Sequence, residues 1–277
     1  MEIVHSDIER TSASPRLSGE ELSAVRENKK LVFPCEQSNK SRILGKLHYW
    51  WCWFVAAILL LVLGVPSLLF LWIINRRLWL YPVALLGAES WLRLSGASVQ
   101  VNGLQNLVDG EQYVFISNHR SYLDTASLFR YAGRRIGIVA KKELLKVPVM
   151  GQGMGFVNVI AIDRSNPEKA KESMDKARRV IESGFSFGVF AEGTRAMPGE
   201  LLPFKKGAFH LALQTGARII PVAFINTDRM MGKRTGVLFP GAIEMSLLPP
   251  IETKDRELME ILFEAREAIA TELKEKS

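Results

Sequence analysis

A long apolar segment restricts what this chain can fold into more than any other feature. Residues 50–74 contain no Asp, Glu, Lys or Arg and are rich in tryptophan. At 1.5 Å per residue, a helix of this length reaches roughly 37 Å, and the hydrocarbon core of a bilayer is about 30 Å thick. A core helix of a soluble protein is seldom uncharged over such a length. The segment therefore predicts attachment to a membrane.

The same segment does not predict a simple membrane span. Pro66 lies in its middle and is expected to kink or break a helix, because proline lacks the N–H donor. Basic residues flank the segment on both sides, at positions 40, 42, 46, 76 and 77, so charge gives no orientation. A second apolar stretch, residues 78–94, is a candidate returning helix. We predict membrane-associated helices over residues 46–96 that dip in and return or lie in the interface.

The flanking regions differ from this segment in composition. Residues 1–45 carry interspersed charges and few large apolar side chains, which is typical of a mobile N-terminal extension. After residue 97, short apolar runs alternate with helical patterns. This order indicates an α/β class domain over residues 97–277, with a mostly parallel mixed sheet flanked by helices. The apolar runs are residues 99–101, 113–116, 136–139, 156–162, 187–190, 219–224 and 243–247.

A histidine and an aspartate lie in the turn after the run at residues 113–116. His119 and Asp124 are spaced so that the carboxylate can fold back onto the imidazole, fix its tautomer and raise its basicity. Such a histidine suits a general base. Ser121 and Asp124 also fit a capping box, in which the carboxylate only satisfies a backbone N–H at a helix start. Spacing alone leaves both interpretations open.

Three further polar clusters follow apolar runs, and the carboxyl ends of parallel strands are where open α/β sheets build their sites. Each cluster places a positive charge beside a turn, and Arg can hold a phosphate through two parallel N–H bonds. Gly193 would let a ligand approach the backbone closely. The clusters are Lys141-Lys142-Glu143, Ile162-Asp163-Arg164 and Glu192-Gly193-Thr194-Arg195.

Other site classes find little support in the sequence. Ser186 lies in a Gly-x-Ser-x-Gly pattern, but a predicted helix precedes it and a strand follows, the reverse of a nucleophile elbow. The two cysteines, Cys35 and Cys52, form no Cys/His cluster, so a metal site is not expected. The net charge of +7 favours an anionic partner. Because no nucleic-acid-reading module is recognisable, membrane lipid and phosphate are the better candidates.

Residues 95–250 resemble the glycerolipid acyltransferases of the 1-acyl-sn-glycerol-3-phosphate acyltransferase type. Four motifs occur in the family's order, and Ala191 stands where members often have proline. The motifs are Asn118-His119-x4-Asp124, Gly155-Phe156 through Ile162-Asp163-Arg164, Glu192-Gly193-Thr194-Arg195 with Phe204-Lys205-Lys206-Gly207, and Ile219-Ile220-Pro221-Val222.

The resemblance implies transfer of a fatty acyl group from a thioester, acyl-CoA or acyl carrier protein, to a lysophospholipid hydroxyl. Lysophosphatidic acid is the foremost acceptor, and no other cofactor is implied. His119, oriented by Asp124, would be the general base, without an acyl-enzyme. The implied substrate-binding residues are Asn118, Lys141, Arg164, Glu192, Gly193, Thr194, Arg195 and Lys205.

The resemblance also implies a membrane location, of plasma, inner or endoplasmic-reticulum type, with the catalytic domain facing the cytoplasm, where the thioester donor is found. Three alternatives remain open. One is the same chemistry on a lyso-ornithine lipid or lysophosphatidylglycerol. Another is a membrane-bound thioesterase or lipase that uses water or Ser186. The third is a lipid-binding protein without chemistry.

Overall fold

A seven-stranded sheet organises the computed structural model, which describes residues 17–35, 41–74, 80–162 and 167–276. In spatial order its strands are β2, β9, β8, β3, β6, β4 and β5, and a two-stranded sheet pairs β1 with β7. All neighbours in the large sheet are parallel except β8 and β9, which confirms the predicted mostly parallel mixed sheet. The strands are β1 (Leu31–Val32), β2 (Ala97–Asn102), β3 (Tyr113–Ser117), β4 (Ile136–Lys141), β5 (Val159–Ile162), β6 (Ser186–Phe190), β7 (Glu200–Leu201), β8 (Arg218–Ile225) and β9 (Gly241–Leu247).

Helices cover both faces of the large sheet. Strand β3 is buried on both faces: Val114 and Ile116 enter one core cluster, and Tyr113 and Phe115 enter the other. A parallel strand buried on both faces appears in sequence as a continuous apolar run, which is why this run was recognisable. The helices are α1 (Gly19–Arg26), α2 (Arg42–Leu59), α3 (Val65–Ile74), α4 (Leu80–Leu94), α5 (Tyr122–Tyr131), α6 (Met150–Met154), α7 (Pro167–Glu182), α8 (Gly207–Thr215), α9 (Thr227–Met231) and α10 (Leu258–Glu275).

Residues 17–35, here called the N-terminal strap, pack against the α/β domain. Val25 and Phe33 lie in the core, and β1 pairs antiparallel with β7. The prediction of a mobile extension over residues 1–45 is therefore wrong for the strap, while residues 1–16 and 36–40 lie outside the described residues. The strap's apolar side chains follow no clear helical or strand period, yet Leu17, Val25, Leu31 and Phe33 are buried.

A buried arginine anchors the strap. Arg266 of α10 is fully buried, and its guanidinium donates to the carbonyls of Ala24 at 2.9 Å, Val25 at 3.0 Å and Lys29. The Ala24 and Val25 carbonyls also accept the backbone N–H groups of Lys29 and Asn28, so the arginine adds a second, charged donor at the end of α1. The same burial lowers the pKa of Arg266 to about 10.

The apolar segment forms one continuous helical rod. A π-helical turn at Leu60–Gly64 joins α2 to α3, and the Val65 N–H donates to the carbonyl of Leu60. The expected break at Pro66 is thus absent, because the wider turn accommodates the missing donor. Helix α4 packs against α2, with the Trp91 indole donating to the Cys52 carbonyl at 3.1 Å.

The rod is exposed along most of its length. Residues Arg42–Phe70 are long and apolar enough to cross a membrane, and 6% of the most apolar window is buried. Trp50, Phe54 and Leu61 are exposed. Whether all of residues 46–96 associate with a membrane remains a prediction.

Candidate active site

The turn after β3 is fastened to the neighbouring strand by a buried amide. Asn118 donates from Nδ2 to the Phe224 carbonyl at 3.0 Å, and its Oδ1 accepts the Phe224 N–H at 2.8 Å. Both ends of this side chain are therefore bonded to the backbone of β8, and the side chain is fully buried. This geometry corrects the expectation that Asn118 contacts substrate: the residue instead fixes the carboxyl end of β3.

His119 and Asp124 meet as their spacing predicts. Nδ1 of His119 lies 2.9 Å from Oδ2 of Asp124, which also accepts the N–H groups of Arg120 at 2.7 Å and Ser121 at 2.8 Å. Both interpretations of Asp124 are correct, since one buried oxygen caps α5 and also contacts the imidazole. Because a carboxylate only accepts, Nδ1 carries a proton in this contact, and in the neutral ring Nε2 then has the lone pair.

Two further contacts fix the imidazole, one to a face of its ring and one to the backbone N–H of the same residue. Its ring stacks on Phe190 with centroids 4.0 Å apart and planes inclined by 23°. The His119 N–H donates to Oε1 of Glu192 at 2.6 Å. The histidine side chain is 15% exposed, so it is held firmly while still open to a ligand.

Glu192 connects the turn after β3 to the loop after β6. Its Oε1 accepts from His119, and its Oε2 accepts the Leu202 N–H at 2.8 Å. The carboxyl is 2% exposed, and burial raises its pKa to about 8, although the two N–H bonds favour the charged form. Glu192 is thus a buried residue that fixes the backbone of the site through His119 and Leu202.

The loop after Glu192 depends on a glycine. Gly193 has φ of 68°, and a Cβ there would come within 2.8 Å of Cδ and Cε of Lys205. Lys205 and Thr194 are both exposed. Any other residue at position 193 would be strained and would displace the lysine stem.

Arg195 is placed beside this loop with its charge available. Its guanidinium lies 3.7 Å from the ring centroid of Tyr122, the first residue of α5. Within residues 17–35, 41–74, 80–162 and 167–276, no group accepts a hydrogen bond from this guanidinium. The Ala196 N–H donates to the His119 carbonyl at 2.7 Å. This bond brings residues 192–196, here called the arginine loop, against residues 118–121, here called the histidine turn.

The other predicted cations are placed differently. Lys141 is exposed and forms an ion pair with Glu143 at 3.3 Å. It ends β4, which β6 separates from β3, so its backbone is about 10 Å from the histidine strand. The structure does not bring Lys141 into contact with the His119 turn. Arg164 lies outside the described residues.

Sequence reasoning missed a second buried pair behind the turn. Arg120 donates from Nε to the Glu200 carbonyl at 2.8 Å and lies 3.2 Å from Oδ2 of Asp228. That Asp228 oxygen also accepts the Gly199 N–H at 2.8 Å. Arg120 is one of the variable positions inside the Asn-His-x4-Asp pattern, and Asp228 is distant in sequence. No local spacing indicated that the two residues meet.

Ser186 begins β6 and so lies at the amino ends of the parallel strands, opposite the end that carries His119. Its Oγ accepts the N–H of Tyr113, the first residue of β3, at 3.0 Å, whereas His119 follows the end of that strand. Ser186 is buried and cannot share a reacting atom with His119. Among the described residues, no group of three His, Cys, Asp or Glu side chains is arranged to hold a metal ion.

Comparison with known proteins finds similar sequences over the part of the chain that carries this site. Residues 98–225 match the model of the Acyltransferase family. The chain is 39% identical over 168 residues to the 1-acyl-sn-glycerol-3-phosphate acyltransferase of Limnanthes douglasii, covering 58% of this chain and 60% of that protein. It is 37% identical over 163 residues to the enzyme of the same name from Saccharomyces cerevisiae, covering 58% and 54%.

A solved structure shares the fold. The crystal structure of the 1-acyl-sn-glycerophosphate acyltransferase PlsC from Thermotoga maritima superposes with a TM-score of 0.71 at 23% identity. The match covers 84% of this chain and 97% of that one. By contrast, the aligned part spans about 60% of the length of the Limnanthes douglasii relative.

Proposed function

We propose that this protein transfers a fatty acyl group from an acyl thioester to the free hydroxyl of lysophosphatidic acid, giving phosphatidic acid. The observation that carries the proposal is the 2.9 Å contact between His119 and Asp124 beside the arginine loop. A neutral imidazole with its outer nitrogen free is the form that accepts a proton at neutral pH. The relatives' names supply the substrate, and the site supplies the chemistry.

The proposed reaction needs one base and no covalent intermediate. The acceptor hydroxyl oxygen attacks the thioester carbonyl while Nε2 of His119 takes the hydroxyl proton. Asp124 stabilises the imidazolium that forms. The tetrahedral intermediate collapses, the carbon–sulfur bond breaks, and the departing thiolate takes the proton from His119. The products are the ester and the free thiol of the carrier.

We assign the acceptor phosphate to the arginine loop. Arg195 offers a planar cation with no hydrogen-bond acceptor among the described residues, next to the histidine turn, and the Lys205 stem lies beside Gly193. Arg suits a phosphate because its N–H fork can form two parallel bonds. Thr194 and Arg164 complete the proposed set, and Lys141 would act only at longer range.

The exposed rod supports a membrane setting for this reaction. Both substrates are amphiphilic, so a site joined to an apolar helix can receive them from a bilayer. We propose that the catalytic domain faces the cytoplasm, where acyl-CoA and acyl carrier protein are available. We propose that the membrane-associated helices lie between boundaries at residues 45 and 96, and that the catalytic domain follows them. The strap precedes these helices in sequence, and we assign it to the catalytic unit because it packs against the α/β domain.

The test is acyl transfer by the purified full chain in detergent, with lysophosphatidic acid and either acyl donor. Wild type should form phosphatidic acid, and His119→Ala should lose on the order of 100- to 10,000-fold in kcat while remaining folded. Asp124→Asn should lose activity with little structural change, because Oδ1 has no partner among the described residues. Ser186→Ala, scored only if its melting transition persists, should remain active.

Two outcomes would redirect the assignment. Thioester cleavage without acylated lipid would indicate a thioesterase. Acylation of lysophosphatidylglycerol or a lyso-ornithine lipid in place of lysophosphatidic acid would keep the chemistry and change the acceptor. Full activity of a folded His119→Ala variant would refute the general-base role.

A further inference from the structure

Tyr122 lies between the proposed phosphate-binding arginine and the apolar rod. Its ring faces the Arg195 guanidinium at 3.7 Å and meets Trp53 of α2 edge-on, with centroids 5.4 Å apart and planes inclined by 83°. Trp53 in turn lies 6.4 Å from Trp91 of α4. Tyr122 directly follows Ser121, the N-cap residue of α5, so its backbone is fixed by the same turn that fixes His119.

The stacking holds the arginine without neutralising it. A guanidinium packed by its face against a ring keeps all its N–H groups in the exposed plane, and the ring quadrupole stabilises the charge. A carboxylate partner would occupy those N–H groups instead. In the described structure no such partner binds Arg195, and the tyrosine is 39% exposed. The pair is therefore open to an anion from solvent.

The other end of α5 provides a comparison within the same helix. Arg130 lies 5.1 Å over the ring of Tyr131, but its Nε also donates to Glu89 at 2.7 Å. That arginine is positioned and neutralised by a carboxylate, and its ring contact is longer. Tyr131 therefore serves as a matched control for an aromatic–arginine contact outside the site.

We infer that Tyr122 is a positioning residue that orients the Arg195 guanidinium toward the phosphomonoester group of the acceptor. This inference rests on the proposed function, in which Arg195 binds that phosphate. The ring restricts the arginine to few rotamers, so less side-chain entropy is lost when the phosphate binds. The contact with Trp53 keeps the ring, and with it the phosphate site, at the side of the domain that carries the apolar rod.

The experiment measures KM and kcat for lysophosphatidic acid with the full chain in detergent. Tyr122→Leu should raise KM about 3- to 30-fold, as loss of a cation–π contact predicts, with kcat within about threefold. Tyr122→Phe, which keeps the ring, should restore KM to within about twofold of wild type. Tyr131→Leu should leave KM unchanged. A Tyr122→Phe variant as impaired as Tyr122→Leu would overturn the stacking role.

A double-mutant cycle separates this inference from the function beneath it. In an Arg195→Ala background, Tyr122→Leu should have no further effect on KM, because the tyrosine acts through the arginine. If Arg195→Ala raises KM and Tyr122→Leu does not, the inference fails and the phosphate assignment stands. If neither changes KM, the phosphate assignment itself fails.

Arg195→Lys keeps the test decisive if Tyr122→Leu does not fold. Lysine retains the charge and loses the planar face, so it should raise KM by a similar factor beside an intact Tyr122. A lysine variant with wild-type KM would show that charge alone is enough and would overturn the inference.

Discussion

The N-terminal strap and the apolar rod are close in sequence but differ in burial. Apolar segments are usually buried and polar segments exposed, and these two segments show the reverse. The strap is largely polar, yet Val25 is fully buried and Phe33 is 4% exposed. The rod is almost wholly apolar, yet Trp50 is 71% exposed and Leu61 is 59% exposed. Ordinary folding rules bury the second kind of segment and leave the first in solvent.

The difference lies in what each segment has to contact. The strap is held by a buried arginine, by pairing of β1 with β7, and by Asn28, which exchanges two 2.8 Å hydrogen bonds with the backbone of Phe204. The rod has an apolar face that the described protein leaves uncovered, and lipid is the surrounding our proposal gives it. Burial in this chain therefore follows specific partners more than average hydrophobicity. Four measurements of stability in detergent can test that contrast.

The largest effect is expected at the strap's anchor. Arg266→Met should lower the free energy of unfolding by about 3 kcal/mol, because it removes a buried guanidinium that donates to three strap carbonyls. Arg256→Met is the control, since Arg256 pairs with Glu260 and Glu264 near the surface and should cost less than about 1 kcal/mol. Chemical denaturation measures both. Equal losses would mean that the strap is not held by this residue.

A somewhat smaller loss of stability is expected where the strap contacts Phe204, the residue before Lys205. Asn28→Ala should cost about 2 kcal/mol, from two lost hydrogen bonds and from a backbone with φ of 51° that asparagine tolerates better than alanine. It should also raise KM for lysophosphatidic acid, because Phe204 precedes Lys205, which we assign to the acceptor phosphate. Asn102→Ala, which removes one exposed contact with Glu244, should change stability by less than about 0.5 kcal/mol. A loss of stability with unchanged KM would separate the strap from substrate binding.

The third effect depends on pH. Burial raises the pKa of Glu192 to about 8, so the folded chain keeps a proton that the unfolded chain releases near pH 4.5. The free energy of unfolding should therefore fall as pH rises from 6 to 8, by up to about 2 kcal/mol. Glu192→Gln should remove this dependence. Thermal melts at the two pH values measure it, and parallel curves for wild type and variant would refute the shift.

The smallest effect is expected on the exposed side of the rod. Phe54→Ser should change the free energy of unfolding by less than about 0.5 kcal/mol in detergent, because the side chain is 57% exposed, while weakening binding to lipid vesicles. The neighbouring Val55 is buried, and Val55→Ser should cost about 1–2 kcal/mol. Similar losses for the two variants would show that the exposed face contributes to the protein's own stability.

What the sequence predicted correctly depends on short-range patterns. The sheet class followed from alternating apolar runs and helical patterns, and the His119–Asp124 contact followed from a five-residue spacing across one turn. The strand expected at residues 156–162 begins later, at Val159, because Asn158 adopts a left-handed conformation after a 3-10 turn. Local sequence patterns predicted these features, but they did not predict contacts between distant residues.

The missed features depend on contacts between distant parts of the chain. Arg120 meets Asp228 across 108 positions, and Asn28 meets Phe204 across 176. Neither pairing leaves a periodic signal in the sequence. The π-helical turn before Pro66 was missed for another reason, since proline propensity predicts a break and cannot predict how neighbouring turns adjust.

The bond from Arg266 to Val25 joins residues 241 positions apart, and this separation sets an order of events during synthesis. At about 5–20 residues per second, a ribosome needs on the order of tens of seconds between making the strap and making its anchor. The rod emerges early in that interval. The whole rod is therefore synthesised before α10, and the strap can be anchored on the α/β domain only after that.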